Sequence, residues 1–323
     1  MTKFSRFWLR TRVFFAVLAQ RTIGRAIALG KKNTNIKGRM IPAFFARKFV
    51  PRIRGLDTGP VSTATPETIW SFWDGPQVPE IVGACIDSIE RHRGPFERKL
   101  LDLKTIDDYS DLPGYVRDKL RGGAMSFAHF SDLLRLNLLL NNGGVWMDAT
   151  DFMTAPIPKH ITDADFFVFL TDKKTYFSYS FMQNCFIRAK RGAWLLRAWH
   201  DLCLMYWRDE DKKIVDYFAH QLMFKAMIGA DPTAQKLFAE MPHETEDQAL
   251  QFVGPKLFAP FDAAEWARIK NESFFQKVTY KVWNEPSLAK RISGEYWRKR
   301  GSTARVADYP GTFFGKIATG EIK

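Results

Sequence analysis

Asp148, Thr150 and Asp151 fall where a short apolar run, Val145-Trp146-Met147, gives out. The run has the β-branched and aromatic character of a buried strand. In an open α/β sheet the crevice beyond the carboxyl ends of the strands is where ligands bind, and carboxylates there can hold a hard divalent cation. Upstream, Asp132 and Arg135 lie one helical turn apart and so share a face. An intrahelical ion pair accounts for that spacing as well as a ligand contact does.

The surrounding sequence predicts the elements that carry these residues. Leu133, Leu134, Leu136, Leu138, Leu139 and Leu140, with Phe127 and Phe130 upstream, give a helix its buried side. Asn141-Asn142-Gly143-Gly144 ends it, since Asn and Gly accept the left-handed conformation of a helix C-terminus. A short strand over Val145-Trp146-Met147 is then expected, with Asp148 and Asp151 where it runs out. Earlier, Thr68 to Trp73 reads as a strand broken by Asp74-Gly75-Pro76, Pro79 to Arg93 as an amphipathic helix, and Lys99 to Leu103 as a second strand. Such a β-α-β unit implies parallel strands, with Asp102 to Asp108 at a carboxyl end. A further strand is expected over 166–170, and an aromatic-rich helix over 194–208 whose Trp residues are core. The class is α/β with a mostly parallel central sheet.

Ser131-Asp132-x-x-Arg135 followed by Gly143-Gly144-x-Trp146-x-Asp148 resembles the nucleotide-sugar signature of the family 32 glycosyltransferases. With Asp-Ala-Thr at 148–150, the chain is most similar to their capsular polysaccharide synthesis branch. The resemblance covers roughly Glu67 to Tyr280, densely from Ile69 to Asp151. It implies a GT-A-like, Rossmann-like domain that moves a sugar from a nucleotide-diphosphate donor, with retention of anomeric configuration, to a glycan or lipid-linked saccharide in surface polysaccharide synthesis. It would be a hexosyltransferase-type enzyme.

By that resemblance Trp73 stacks on the base, Asp132 meets ribose or sugar, Arg135 meets sugar hydroxyls or a phosphate oxygen, and Trp146 closes over the donor. Asp148 would hold Mn²⁺ or Mg²⁺, which neutralises a leaving diphosphate without needing a proton. The second Asp of the family pattern is Thr150 here; Asp151 is the substitute, although in an extended strand it points to the opposite face. Asn184 is the expected sugar contact. Val215-Asp216-Tyr217-Phe218-Ala219-His220 resembles a second motif of the branch, and on a helix Asp216 and His220 share a face at i,i+4. Lys277 and Lys281 suit a cap over the phosphates. The expected catalytic set is therefore Asp148, Asp216 and Asn184, the donor set Trp73, Asp132, Arg135, Trp146, Lys277 and Lys281, and the metal set Asp148, Thr150, Asp151 and His220. Ordinary readings stand beside these: Trp73 as core, Asn184 and His220 as structural, Asp151 as a loop residue.

Of 323 residues 46% are hydrophobic, enough for a substantial core. Cys85, Cys185 and Cys203, odd in number and without C-x-x-C spacing, argue against a disulfide framework or zinc site and for a reducing cytosol. The net charge of +13 is uneven: residues 1–54 hold 14 Lys/Arg and no Asp or Glu, and the remainder holds 34 basic against 35 acidic residues. The body is thus not a nucleic-acid binder. Residues 1–55 mix Lys3, Arg6, Arg10, Arg21 and Arg25 with Phe4, Phe7, Trp8, Phe14, Phe15 and Leu18. Their longest uncharged window, Val13 to Gln20, is far short of the about 20 residues that cross a bilayer. This predicts a basic helix lying on an anionic membrane surface, on the cytoplasmic inner face. Packing on the catalytic domain and a transit peptide are the alternatives. Residues 56–66 read as linker and 67–323 as the transferase domain, whose tail around Arg298-Lys299-Arg300 reads as a solvated or membrane-facing patch. A glycoside hydrolase or a non-catalytic membrane-surface scaffold are the rival functions.

Overall fold

The computed structural model describes residues 8–9, 11–15, 37–64, 67–172, 178–210, 214–283 and 300–323. In chain order the strands are β1 (Thr68–Phe72), β2 (Glu97–Leu101), β3 (Gly144–Met147), β4 (Asp151–Met153), β5 (Phe166–Leu170), β6 (Met182–Ala189), β7 (Phe275–Lys277), β8 (Lys281–Trp283) and β9 (Arg300–Thr303). The longer helices are α1 (Lys37–Lys48), α2 (Glu80–His92), α3 (Gly114–Arg121), α4 (Phe127–Asn142), α5 (Trp194–Asp209), α6 (Ala219–Ala230), α7 (Pro232–Glu240) and α8 (Ala263–Glu272). The chain is mixed α/β with a mostly parallel central sheet. Two units divide it: residues 1–64, 107–144 and 164–245, and residues 65–106, 145–163 and 246–323.

In the first unit α4 is held by its leucines. Leu133, Leu134, Leu136, Leu138 and Leu139 are fully buried, and α4 packs on α5. Ser126 caps its start, its Oγ accepting from the His129 N–H. The helix runs through both asparagines, because Asn142 Nδ2 donates to the carbonyls of Leu138 and Tyr109 at 2.9 and 3.0 Å. Gly143 then ends it at φ 70°, ψ −170°. A Cβ at Gly143 would meet the Arg191 nitrogen at 3.0 Å. Gly143→Ala should therefore destabilise the fold by about 1–3 kcal/mol, read as a lower urea midpoint. An unchanged midpoint would mean that the turn relaxes.

The antiparallel pair β5/β6 sets Phe167, Phe169 and Phe186 edge to face. The second half of the basic N-terminal segment is built into this unit. Phe45, Phe49, Val50 and Ile53 are fully buried, and α1 packs on α6. Lys48 pairs with Glu210 at 3.1 Å and Arg52 with Asp209 at 2.6 Å. These are contacts of the kind that the packing alternative requires. Trp8, Phe14 and Phe15 are instead 52%, 61% and 59% exposed. Lys3, Arg6, Arg10, Arg21, Arg25, Phe4, Phe7 and Leu18 lie outside the described residues.

In the second unit β2, β1 and β3 are parallel, with Trp70 opposite both Lys99 and Trp146. β2 begins and ends two residues earlier than the sequence suggests. Asp102 is already in a turn, its Oδ1 accepting from the Lys104 and Thr105 N–H groups, while the Leu103 N–H goes to Asp74 Oδ1. Ile81, Val82, Cys85 and Ile89 form the buried stripe of α2. On the same helix Ser88 Oγ donates to the Cys85 carbonyl and accepts from the Met153 N–H, tying α2 to β4. The tail is more than a charged patch: Phe313, Phe314 and Ile317 are buried in the same core as Phe252, Trp266 and Ile269. Their helix, Phe313–Ala318, starts on a Thr312 cap. Arg298 and Lys299 lie outside the described residues.

Candidate functional site

Parallel pairing of β1 with β3 puts the residues that follow each strand at one carboxyl edge of the second unit. Trp73 follows β1. Its backbone N–H reaches the Leu101 carbonyl at 2.9 Å, its indole N–H donates to the Gln77 carbonyl at 3.3 Å, and its ring meets Tyr280 edge-on at 5.1 Å. It is half-buried and packs against the apolar core that includes Ile81, Val82 and Phe252.

Asp148 follows β3, which ends at Met147 as the apolar run suggests. The chain turns, the Asp151 N–H donating back to the Asp148 carbonyl at 2.8 Å, and β4 begins only at Asp151. The turn brings Asp151 to the side of Asp148 instead of the opposite face. Asp151 Oδ2 accepts from the Asp148 N–H at 3.0 Å. Because β4 pairs with β7 at Asp151↔Lys277, the Lys277 ammonium lies 2.5 Å from Asp148 Oδ2 and 3.3 Å from Asp151 Oδ1. The remaining Asp148 oxygen, Oδ1, accepts from the Trp146 indole N–H at 2.8 Å. Trp146, expected as a cover for the donor, is 1% exposed and orients Asp148 from below. Burial pushes the Asp151 carboxyl up to about 7; Lys277 opposes this and Asp148 adds to it. The Thr150 carbonyl accepts from the Val278 N–H at 2.9 Å, which holds the segment from Lys277 to Lys281 along the turn. Lys281 places its ammonium 5.4 Å from the Tyr280 ring centroid.

The carboxylates do not fit a resident Mn²⁺ or Mg²⁺ well. Three of the four oxygens of Asp148 and Asp151 accept hydrogen bonds from protein donors, and the fourth, Asp151 Oδ1, is buried without a hydrogen bond 3.3 Å from the Lys277 ammonium, whereas a hydrated divalent ion needs open oxygens. Thr150 supplies no carboxylate. Among the described residues no group of three or more His, Cys, Asp or Glu gathers in a metal-holding arrangement.

A second polar cluster belongs to the first unit. Asp132 Oδ1 accepts from Asn184 Nδ2 at 2.8 Å and lies 3.3 Å from Arg135 Nη2. Its Oδ2 lies 3.4 Å from His220 Nδ1. Burial would raise this carboxyl, but Arg135 and then His220 outweigh it and hold it down to about 2. Arg135 also donates to the carbonyls of Asn184 and Ser131 and to Ser131 Oγ. Gln221 donates to Asn184 Oδ1 at 3.2 Å. An indole has only a donor, so the Trp207 N–H at 2.7 Å makes His220 Nε2 an acceptor and leaves the proton on Nδ1, towards Asp132.

Asp216 and His220 do not share a helical face. α6 starts at Ala219, and Asp216 sits in the preceding turn, Oδ1 accepting from the Phe218 N–H and from the Tyr179 hydroxyl, Oδ2 from Lys37. Trp207, Gln221 and Lys37 were not singled out from sequence. Gln221 had a signal, a polar pair with His220 in a helix whose other polar side chain is Lys225.

Residues 26–294 match the family described as "Capsular polysaccharide synthesis protein", well over half of the chain. The chain belongs to the capsular polysaccharide synthesis family. The matched span starts inside the basic N-terminal segment and includes both polar clusters. Among solved structures the chain is similar to "PaToxG Glycosyltransferase" at 13% identity, covering 64% of this chain and 84% of that one with a TM-score of 0.38. No curated relative matches the chain. No helix among the described residues is long and apolar enough to cross a membrane.

Proposed function

We propose that this chain is a glycosyltransferase of capsular or related surface polysaccharide synthesis, moving a sugar from a nucleotide-diphosphate donor to a glycan or lipid-linked acceptor. The observation that carries the reading is the carboxyl edge of β1 and β3, where half-buried Trp73 and the Asp148 turn lie on adjacent parallel strands. A GT-A-like donor domain presents a base-stacking ring and a phosphate-facing charge cluster in that arrangement. Trp73 stacks on the base, an interaction worth roughly 1–3 kcal/mol in single-stranded nucleic-acid systems. Lys277 and Lys281 face the diphosphate, whose developing charge is what transfer must stabilise, and Asp148 fixes Lys277. In the first unit Asn184, Arg135 and His220 hold the buried Asp132 carboxylate. In a retaining transfer the leaving phosphate oxygen takes the acceptor's proton on the same face of the sugar, and no side-chain nucleophile is needed. The test is turnover across a panel of nucleotide sugars. Transfer from none of them, or transfer that survives the loss of the Asp148 charge, would remove the reading.

A peripheral membrane site on the inner face suits such an acceptor, and Trp8, Phe14 and Phe15 are exposed beside a segment without acidic residues. The full chain should float with anionic vesicles and lose that behaviour when Trp8, Phe14 and Phe15 are replaced by Ser. Equal flotation of the two proteins would sink the membrane reading.

A further inference from the structure

We propose that the Lys277 ammonium is the built-in counter-cation of the Asp148–Asp151 pair, so that the chain binds its nucleotide diphosphate without a divalent metal ion. The inference deepens the donor-site reading above and rests on it.

Three observations support it. The first is position. Antiparallel pairing of β4 with β7 sets Lys277 directly opposite Asp151, and its ammonium bridges the two carboxylates at 2.5 and 3.3 Å. That is where a shared cation would have to sit. The second is occupancy. Trp146 engages the other oxygen of Asp148, and the backbone of Asp148 engages the other oxygen of Asp151. An incoming ion would have to displace a charge-assisted contact from a lysine that is 19% exposed, beside a carboxylate that is fully buried. The third is composition. The position that could add a carboxylate to the turn is Thr150, whose carbonyl instead anchors Val278, the residue after Lys277. The segment that delivers Lys277 also delivers Tyr280, against Trp73, and Lys281. Base contact and phosphate contact therefore arrive on one piece of chain.

The experiment has two arms. Electron paramagnetic resonance of Mn²⁺ mixed with the protein, without nucleotide, asks whether the carboxylates hold the ion. The wild type should leave Mn²⁺ free, and Lys277→Met should retain it; stoichiometric retention by the wild type overturns the proposal. If Lys277→Met folds poorly, a melting temperature that Mn²⁺ raises in the variant alone reports the same exchange. Calorimetric titration with a panel of nucleoside diphosphates, in chelator or in Mn²⁺, is the second arm. Wild-type affinity should be the same in both buffers. Lys277→Met should bind about tenfold or more weakly in chelator and recover in Mn²⁺, while Lys277→Arg keeps chelator-resistant binding. Wild-type affinity that rises about tenfold with Mn²⁺ overturns the proposal but keeps the nucleotide reading. Absence of binding by any nucleoside diphosphate in either buffer rejects the nucleotide reading and, with it, this proposal.

Discussion

Asp148→Asn should lower sugar transfer by about 10²–10³-fold, the cost of removing one preorganised charge-stabilising group from an active site, while thermal melting of the unliganded protein stays close to wild type. The structure explains why Asn is the informative replacement. Asp148 Oδ1 accepts from the buried Trp146 indole at 2.8 Å, and an amide oxygen can keep that bond. What Asn removes is the charge that holds the Lys277 ammonium at 2.5 Å. Asp148→Ala should lose turnover to the same extent and in addition melt lower, because it strands the indole N–H. An unsatisfied buried donor costs about 1–3 kcal/mol. The pair thus separates chemistry from folding: equal turnover in wild type and Asp148→Asn removes Asp148 from the site, whatever the Ala variant does.

Local order was legible wherever one residue type dominated a segment. The leucines of α4, the Ile/Val stripe of α2 and the phenylalanines of β5 each have one way to leave water, and each element appears with most of its core face as expected; Phe127, at the first turn of α4, is instead 51% exposed. Trp73 was singled out by the family resemblance and Asp148 also by its place where a short apolar run ends, while the parallel pairing of β1 with β2 was predictable from the β-α-β unit. What escaped is long-range or decided by a single turn. The Asp148–Asp151 turn is four residues without glycine or proline, so nothing local shows that it returns Asp151 to the side of Asp148. Lys277 reaches that turn only through a pairing 126 residues distant in sequence, Asp151↔Lys277, and no local pattern announces it. Likewise Asp216 looks helical by spacing to His220, but its carboxylate serves the Phe218 N–H and the Lys37 ammonium instead. A side chain that can bond its own backbone two residues on favours a turn over a helix interior.

Arg135→Met should be the most damaging single change in the first unit, lowering stability by about 3–5 kcal/mol, because it leaves the Asp132 carboxylate buried without its guanidinium. Asp132 is 9% exposed and Arg135 4%, so water cannot replace what is lost. The sign of the pH dependence identifies the cause. In the wild type the Asp132 carboxyl is held down to about 2, below its ordinary value near 4. It therefore contributes about 2 kcal/mol that is fully present above pH ~4 and is lost as pH falls from ~4 towards ~2. In Arg135→Met, burial acts with less opposition and the folded-state carboxyl rises. Protonation then relieves the buried charge, so the deficit relative to wild type should narrow as the solution is acidified. Urea denaturation of both proteins at neutral pH and near pH 4 measures this. Asp132→Asn combined with Arg135→Met should recover part of the loss at neutral pH, since no charge is left unpaired. A deficit that is independent of pH and unrelieved in the double variant would mean that Arg135 stabilises α4 through its Ser131 and Asn184 hydrogen bonds and that the ion pair contributes little.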